Sequence, residues 1–190
     1  MQSTRQTYRD VWEVIGRYWA IYGGLAALLR SPYFHLSVVL TAMTADSWLY
    51  DRWWTTTISI LPNLLGFTLG GFAIFLGFGD EKFKEIIAGN DPGESRHSSP
   101  YLSVSATFLH FVVVQVAALL WAIVASALHF DPPDSRVAFV GQLLGILGGA
   151  LGYWLLLYSI CVAVAAGFAI FRVAGWYDSY QTARNRSPRE

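Results

Sequence analysis

Three long stretches of this chain carry no charged residue: Trp53 to Gly79, Pro100 to Phe130, and Val137 to Phe171. Each is longer than the roughly 20 apolar residues a helix needs to cross a hydrocarbon core about 30 Å thick. A soluble helix of that length would show a polar face at every turn. The 13 basic and 13 acidic side chains of the 190 residues are crowded into the segments between these windows. The pattern predicts an all-α membrane protein. A fourth, shorter crossing is expected over Pro32 to Leu49, which is apolar apart from His35, some hydroxyls and Asp46. Trp48, Trp53 and Trp54 follow it as an interfacial aromatic cluster.

Four crossings place both ends on one side, and the basic residues choose the side. Eleven of the thirteen fall in the N-terminal segment (Arg5, Arg9, Arg17, Arg30), the central loop (Lys82, Lys84, Arg96) and the C-terminal part (Arg172, Arg184, Arg186, Arg189). Only Arg52 and Arg136 belong to the two opposite loops, which are short and acidic with Asp46, Asp51, Asp131 and Asp134. Lys and Arg accumulate on the cytoplasmic side, so both termini are expected inside a cytoplasmic (inner) membrane. The implied organisation is a cytoplasmic segment over 1–30, a transmembrane hairpin over 31–79, a cytoplasmic loop over 80–100, a second hairpin over 101–172, and a tail over 173–190. The loop contains the turn-prone run Gly89-Asn90-Asp91-Pro92-Gly93. It opens with Asp80 to Ile87, which reads as a charged helical extension of the second crossing.

Val11 to Leu29 has helical composition but too many charges for a comfortable crossing. Asp10, Glu13, Arg17, Ala20, Gly24 and Ala27 fall on one stripe, with Trp12, Ile15, Tyr18, Trp19, Ile21, Tyr22, Leu25 and Leu28 elsewhere. That pattern suits an amphipathic helix lying in the membrane interface, or a tilted, half-inserted helix joined to the first crossing at Arg30-Ser31-Pro32. No small-x-small cleavage site follows its apolar part, so a cleaved signal peptide is not expected.

Each crossing also carries a stripe of small or polar residues at helical spacing. The first has Ser37, Thr41 and Thr44; the second Ser59, Asn63, Gly66, Gly70, Ala73 and Gly77. The third has Gln115, Ala118, Ala122, Ser126 and His129. The fourth has Gly141, Gly145, Gly148, Gly149, Gly152, Ser159, Ala163 and Ala166. Lipid gives helices no hydrophobic reason to associate, and close approach through small residues replaces it. These stripes are therefore packing seams, within the bundle or between subunits, or else faces of a wet lumen. Four of them exceed what a monomeric bundle needs, and a homo-oligomer is expected.

Pro62 lies about 14 Å along the helix from Trp53, near mid-bilayer. It frees the carbonyl of Ile58 from its helical hydrogen bond, and Asn63 adds an amide at the same depth. Ser59, Pro62, Asn63, Gly66 and Gly70, with Gln115 and Gln142 as natural partners, form the candidate pore or packing seam. His110, two turns into the third crossing with Thr107 on its face, is the candidate proton-sensitive group. More often such a histidine hydrogen-bonds across a helix pair, and no carboxylate is available at its depth for a relay.

Two words recur. Ser31-Pro32-Tyr33 and Ser99-Pro100-Tyr101 open the first and third crossings, and Gly71-Phe72-Ala73-Ile74-Phe75 and Gly167-Phe168-Ala169-Ile170-Phe171 close the second and fourth. They suggest two similarly oriented hairpins. The run from Ile60 to Phe83, Ile-Leu-Pro-Asn-Leu-Leu-Gly-Phe-Thr-Leu-Gly-Gly-Phe-Ala-Ile-Phe-Leu-Gly-Phe-Gly-Asp-Glu-Lys-Phe, together with Ser31 to Phe34, resembles the core of a set of small bacterial four-span membrane proteins without an assigned function. The resemblance covers about a quarter of the chain. It implies a bacterial inner-membrane protein and transfers no catalytic or binding residue.

Enzymatic chemistry is not expected. Gly77-Phe78-Gly79-Asp80 matches the GxGD pattern of intramembrane aspartyl proteases, but the topology separates Asp80 from Asp51 by a bilayer, and an acid dyad needs its carboxylates within a few ångströms. HExxH, GxSxG and GxxxxGK[ST] are all missing. Cys161 is the single cysteine, and no Cys/His cluster calls for a metal or cofactor. No basic stripe suits nucleic acid. The expected partners are the lipid bilayer and the chain itself. The leading function is a small homo-oligomeric channel or pore-type component. Behind it stands a non-conducting anchor or sensor that recruits a cytosolic protein, in a stress or phage-defence setting for instance, and third a proton-coupled transporter.

Overall fold

The computed structural model describes residues 4–89, 99–128 and 136–186, without the side chains of 4, 5 and 136–140. Nearly all of the described residues are helical and none lies in a strand. In chain order the helices are α1 (Thr4–Tyr22), α2 (Gly24–Arg30), α3 (Pro32–Met43), α4 (Asp46–Leu49), α5 (Trp53–Gly77), α6 (Glu81–Ile87), α7 (Pro100–Leu128) and α8 (Arg136–Arg186). Helices α5 and α7, and α8 from Gly141 on, are long and apolar enough to cross a membrane. Helices α2 and α3 pass the same test as a bent pair, so three or four crossings are within the chain's reach. The all-α class is as expected. The turn at 90–93, Arg96, His129, Asp131, Asp134, Arg189 and the side chains of Arg5 and Arg136 lie outside the described residues.

Three expected elements differ in detail. The helix expected as continuous over Val11 to Leu29 breaks at Gly23 and Gly24, whose φ angles are +101° and +62°. Only glycine takes such angles cheaply, and a Cβ on Gly23 would lie 2.9 Å from that of Ala27. The stripe from Asp10 to Ala27 is thus shared between two helices. Second, Pro32 to Leu49 is not one helix. Helix α3 stops after 12 residues, about 18 Å of rise. There the Thr44 hydroxyl and backbone N–H both turn back to the Leu40 carbonyl, at 2.7 and 3.0 Å. Third, α6 does not extend α5. Gly79 turns the chain at φ +85°. Asp80 then caps the new helix, its carboxylate accepting from the Phe83 N–H at 2.8 Å, as N-cap aspartates do.

The chain forms two compact units, and α5, α7 and α8 contribute to both. One unit comprises residues 31–70 and 111–165. At its centre Leu61, Ala118 and Leu156 are fully buried, with Leu64, Leu119, Tyr153 and Leu155 packed around them. In lipid, contact of this kind stabilises by dispersion and close fit rather than by release of water. Ser37 is a polar hub in the same unit. Its hydroxyl donates to the Phe34 carbonyl at 2.7 Å and accepts from the Trp154 indole at 2.9 Å. The Thr41 hydroxyl donates to the Ser37 carbonyl, and the Trp48 indole to that of Thr41. Trp53 lies flat against Gly152 and Gly149 of α8, where any side chain would overlap its ring or the Trp48 carbonyl.

The other unit takes in the described parts of 1–30, 71–110 and 166–190. Phe72, Phe75 and Phe108 form a triangle of near-parallel rings, each against the other two, and Tyr101 tilts against Phe75. Gly71 lets Ile170 and Phe108 come close. Past the end of α5, the buried Phe83 meets Phe78, Tyr177 and Tyr180. Arg184 pairs with Asp80 at 3.3 Å across this cluster.

Of the repeated words, the Ser-Pro-Tyr pair begins α3 and α7 alike, with proline in the first turn where its missing N–H costs nothing. The Ser99 hydroxyl accepts from the Leu102 N–H, whereas Ser31 accepts through its carbonyl. The Gly-Phe-Ala-Ile-Phe pair is not equivalent in packing. Phe75 is 4% exposed and Phe171 is 77% exposed.

Candidate functional site

Helix α5 has two polar faces, and the fold uses them differently. Facing inward are Trp53, Thr57, Leu61 and Thr68, spaced four, four and seven residues apart and all buried. Their hydroxyls are internally satisfied, since Thr57 donates to the Trp53 carbonyl at 3.2 Å and Thr68 to that of Leu64 at 3.0 Å. On the outside lie Ser59, Pro62, Asn63, Gly66 and Gly70, every one exposed. The Ser59 hydroxyl turns back to the Thr56 carbonyl at 2.9 Å. A Cβ on Gly66 or Gly70 would meet nothing within 4 Å. The helix runs unbroken through Pro62. The structure therefore brings the five α5 candidates together on one face, and that face is turned away from the chain's own core.

Gln115, expected as a partner for Asn63, sits elsewhere. It is fully buried on α7, and its Nε2 donates to the Thr68 hydroxyl oxygen at 2.9 Å. Because the Thr68 hydroxyl proton is already given to Leu64, Thr68 can only accept, and the amide's orientation follows. Gln115 Oε1 is buried with no donor among the described residues. Gln142 lies exposed on α8. The small stripes of α3, α7 and α8 mostly face inward, as Ser37, Thr41, Ala118, Ala122, Gly152, Ser159, Ala163 and Ala166 are buried.

His110 belongs to the other unit. It is 3% exposed, and the Tyr22 ring lies over it at 4.0 Å with an interplanar angle of 18°. Trp19 stands 6.3 Å away. The imidazole is thus clasped by the C-terminal end of α1. The Thr107 hydroxyl on the same helix donates to the Ser103 carbonyl.

Several working side chains were not singled out by sequence. Thr68 carries no local mark that distinguishes it from other threonines; only its partner on α7 does. The indole of Trp121 donates to the Gly148 carbonyl at 3.0 Å, and Trp154 to Ser37. Tryptophan inside an apolar window was a usable signal, since its N–H needs an acceptor when removed from water. The Gly-Phe-Gly-Asp word turns out to be a turn and helix cap, and its Asp80 carboxylate is engaged by Phe83 and Arg184. Among the described residues no three His, Cys, Asp or Glu side chains come together in a metal-binding arrangement. The chain matches no protein family, no curated protein and no solved structure.

Proposed function

We propose that the chain is a four-span inner-membrane protein, with both ends cytoplasmic, that self-associates through the outer face of α5 and forms a small channel or pore-type component. The observation that carries this reading is the exposure of Asn63, between Ser59 and the bare Gly66 and Gly70, on the outward face of a helix apolar enough to cross a membrane. An amide facing hydrocarbon without partners is costly, and polar side chains within crossings face protein or water. The chain's own core does not cover this one. A second copy does, through a contact in which glycines let the backbones approach, or the copies together enclose water beside it.

In this reading α3 makes the short first crossing together with α2 or α4, and α1 starts on the cytoplasmic interface and dips at its C-terminal end, where Tyr22 stacks on His110. The exposed Tyr8, Val11, Trp12 and Ile15 of α1 share one face, suited to the headgroup boundary. Arg9 and Glu13 pair at 3.2 Å on the other. Cysteine crosslinking tests the contact in a Cys161→Ala background. Asn63→Cys should give disulfide-linked dimers in membranes while the buried Thr68→Cys gives none; equal crosslinking from both removes the contact. Ion flux from proteoliposomes tests conduction, with Asn63→Leu expected to change it. Absence of flux at every voltage and pH would leave the self-associating protein as the anchor or sensor of the second reading. That second reading has its own support in the ordered knot of α6 on the end of α8, closed by Asp80 and Arg184, which offers a surface for a cytosolic partner.

A further inference from the structure

The five glycines between residues 141 and 152 of α8 divide into two groups. Gly148, Gly149 and Gly152 are in contact with Trp48, Trp53 or Trp121, while a Cβ on Gly141 or Gly145 would meet nothing within 4 Å. Those two bare positions face a cavity of about 400 Å³, open on one side. Across from them stand the indoles of Trp53, Trp54 and Trp121 and the side chain of Leu128. The lining is overwhelmingly apolar, and its volume is in the range of roughly 300–1,000 Å³ typical of small-molecule sites.

Its position selects the occupant. Trp53 begins α5, Leu128 ends α7 and Gly141 lies near the start of α8, so the cavity sits at the same end of all three helices. Tryptophans gather where hydrocarbon meets headgroup. The two residues before Trp53 are Asp51 and Arg52, both exposed, a carboxylate and a guanidinium side by side. A guanidinium binds phosphate through paired N–H donors, and a carboxylate complements an ammonium. A whole second helix, some 10–12 Å across with its side chains, fits a cavity of this size poorly. A single flexible hydrocarbon chain fits it well.

We propose that this cavity holds one acyl chain of a zwitterionic phospholipid, whose phosphate and amine are read by Arg52 and Asp51. The inference needs only that the chain resides in a bilayer, and it is independent of self-association and conduction. The glycines at 141 and 145 leave α8 bare so that methylene groups can lie against its backbone. The indoles supply the opposite wall and fix the depth.

Native mass spectrometry of the full chain in detergent, titrated with dioleoyl phosphatidylethanolamine, tests it. One saturable lipid per chain is expected, held several-fold more tightly than dioleoyl phosphatidylglycerol. Gly145→Leu should weaken binding at least tenfold. Arg52→Gln should weaken the phospholipid but leave headless dioleoylglycerol unchanged. A second measurement uses the unaltered protein: phosphatidylethanolamine with brominated acyl chains should quench tryptophan emission saturably at one lipid per chain. Unchanged lipid binding in Gly145→Leu, or quenching that never saturates, overturns the site. Equal affinity for the two headgroups overturns the zwitterionic assignment. A change in oligomeric state in Gly145→Leu with lipid binding intact would mean that a second copy fills the cavity.

Discussion

Replacing Gly152 with alanine adds one methyl group at the point where the Trp53 ring lies on α8. The added Cβ would overlap three atoms of the six-membered ring. The indole has little room to withdraw, because Trp53 is 4% exposed and its other edge is held over Gly149. Overpacking a filled site of this kind costs about 1–3 kcal/mol. The gain in helix propensity on changing glycine to alanine offsets up to about 1 kcal/mol of it. Gly145→Ala makes the same chemical change one face-length away, where the new methyl meets open space, so only the propensity gain remains. The propensity gain is common to both and cancels, so the two variants should differ by the overpacking cost, about 1–3 kcal/mol, or at least about fivefold in the unfolding equilibrium. Reversible unfolding in mixed micelles titrated with sodium dodecyl sulfate, followed by far-ultraviolet circular dichroism, reads that difference. Trimming the indole in a Gly152→Ala, Trp53→Phe double variant should recover part of the loss, since neighbours that share a contact are not additive. Equal stability of Gly152→Ala and Gly145→Ala would refute the packing argument, as would a double variant whose losses simply add.

Two further predictions concern polar groups. Thr68→Val removes the acceptor for the buried Gln115 Nε2 and should cost about 1–3 kcal/mol, whereas Gln115→Leu removes the whole amide, including its donorless Oε1, and should be close to neutral; the same micelle titration compares them, and a reversed order would show that Gln115 is held by something other than Thr68. Asp80→Ala should cost about 1 kcal/mol through loss of the α6 cap, while Arg184→Gln at its half-exposed ion pair should cost under about 1 kcal/mol. Hydrogen exchange of the Phe83 to Ile87 amides separates these two, and faster exchange in Arg184→Gln than in Asp80→Ala contradicts the assignment of the cap as the stronger anchor.

The long helices α5, α7 and α8 were legible because a run of apolar residues longer than a bilayer is thick has few alternatives. Helix starts at Pro32 and Pro100 were legible for a similarly local reason, the fixed φ of proline in a first turn. Which side of α5 turns inward was not. In water a polar stripe marks the outside, but lipid is as apolar as leucine and sets no such rule. Thr57 and Thr68 satisfy their hydroxyls on their own helix and can be buried, whereas the two N–H donors and the oxygen of the Asn63 amide are more than one backbone carbonyl can satisfy. The break after Met43 was hidden too, because no glycine or proline marks it; Thr44 leaves the helix at φ −105° and ψ 33°.

That contrast bears on what the outer face of α5 is for. The serine and threonine hydroxyls of α3, α5, α7 and α8 mostly donate to a carbonyl one turn back, which lets each be placed in lipid or in protein at little cost. Indole N–H groups have no such local recourse, and the structure gives Trp48, Trp121 and Trp154 acceptors on distant residues. An asparagine amide has both donors and an acceptor to place and is the most demanding group of this series. On the inner side of the bundle the comparable amide of Gln115 was given Thr68. On the outer side Asn63 is followed along the same face by Gly66 and Gly70, where the helix backbone lies bare. A demanding amide and a bare backbone on one face are the physical grounds on which the proposed self-association through α5 rests.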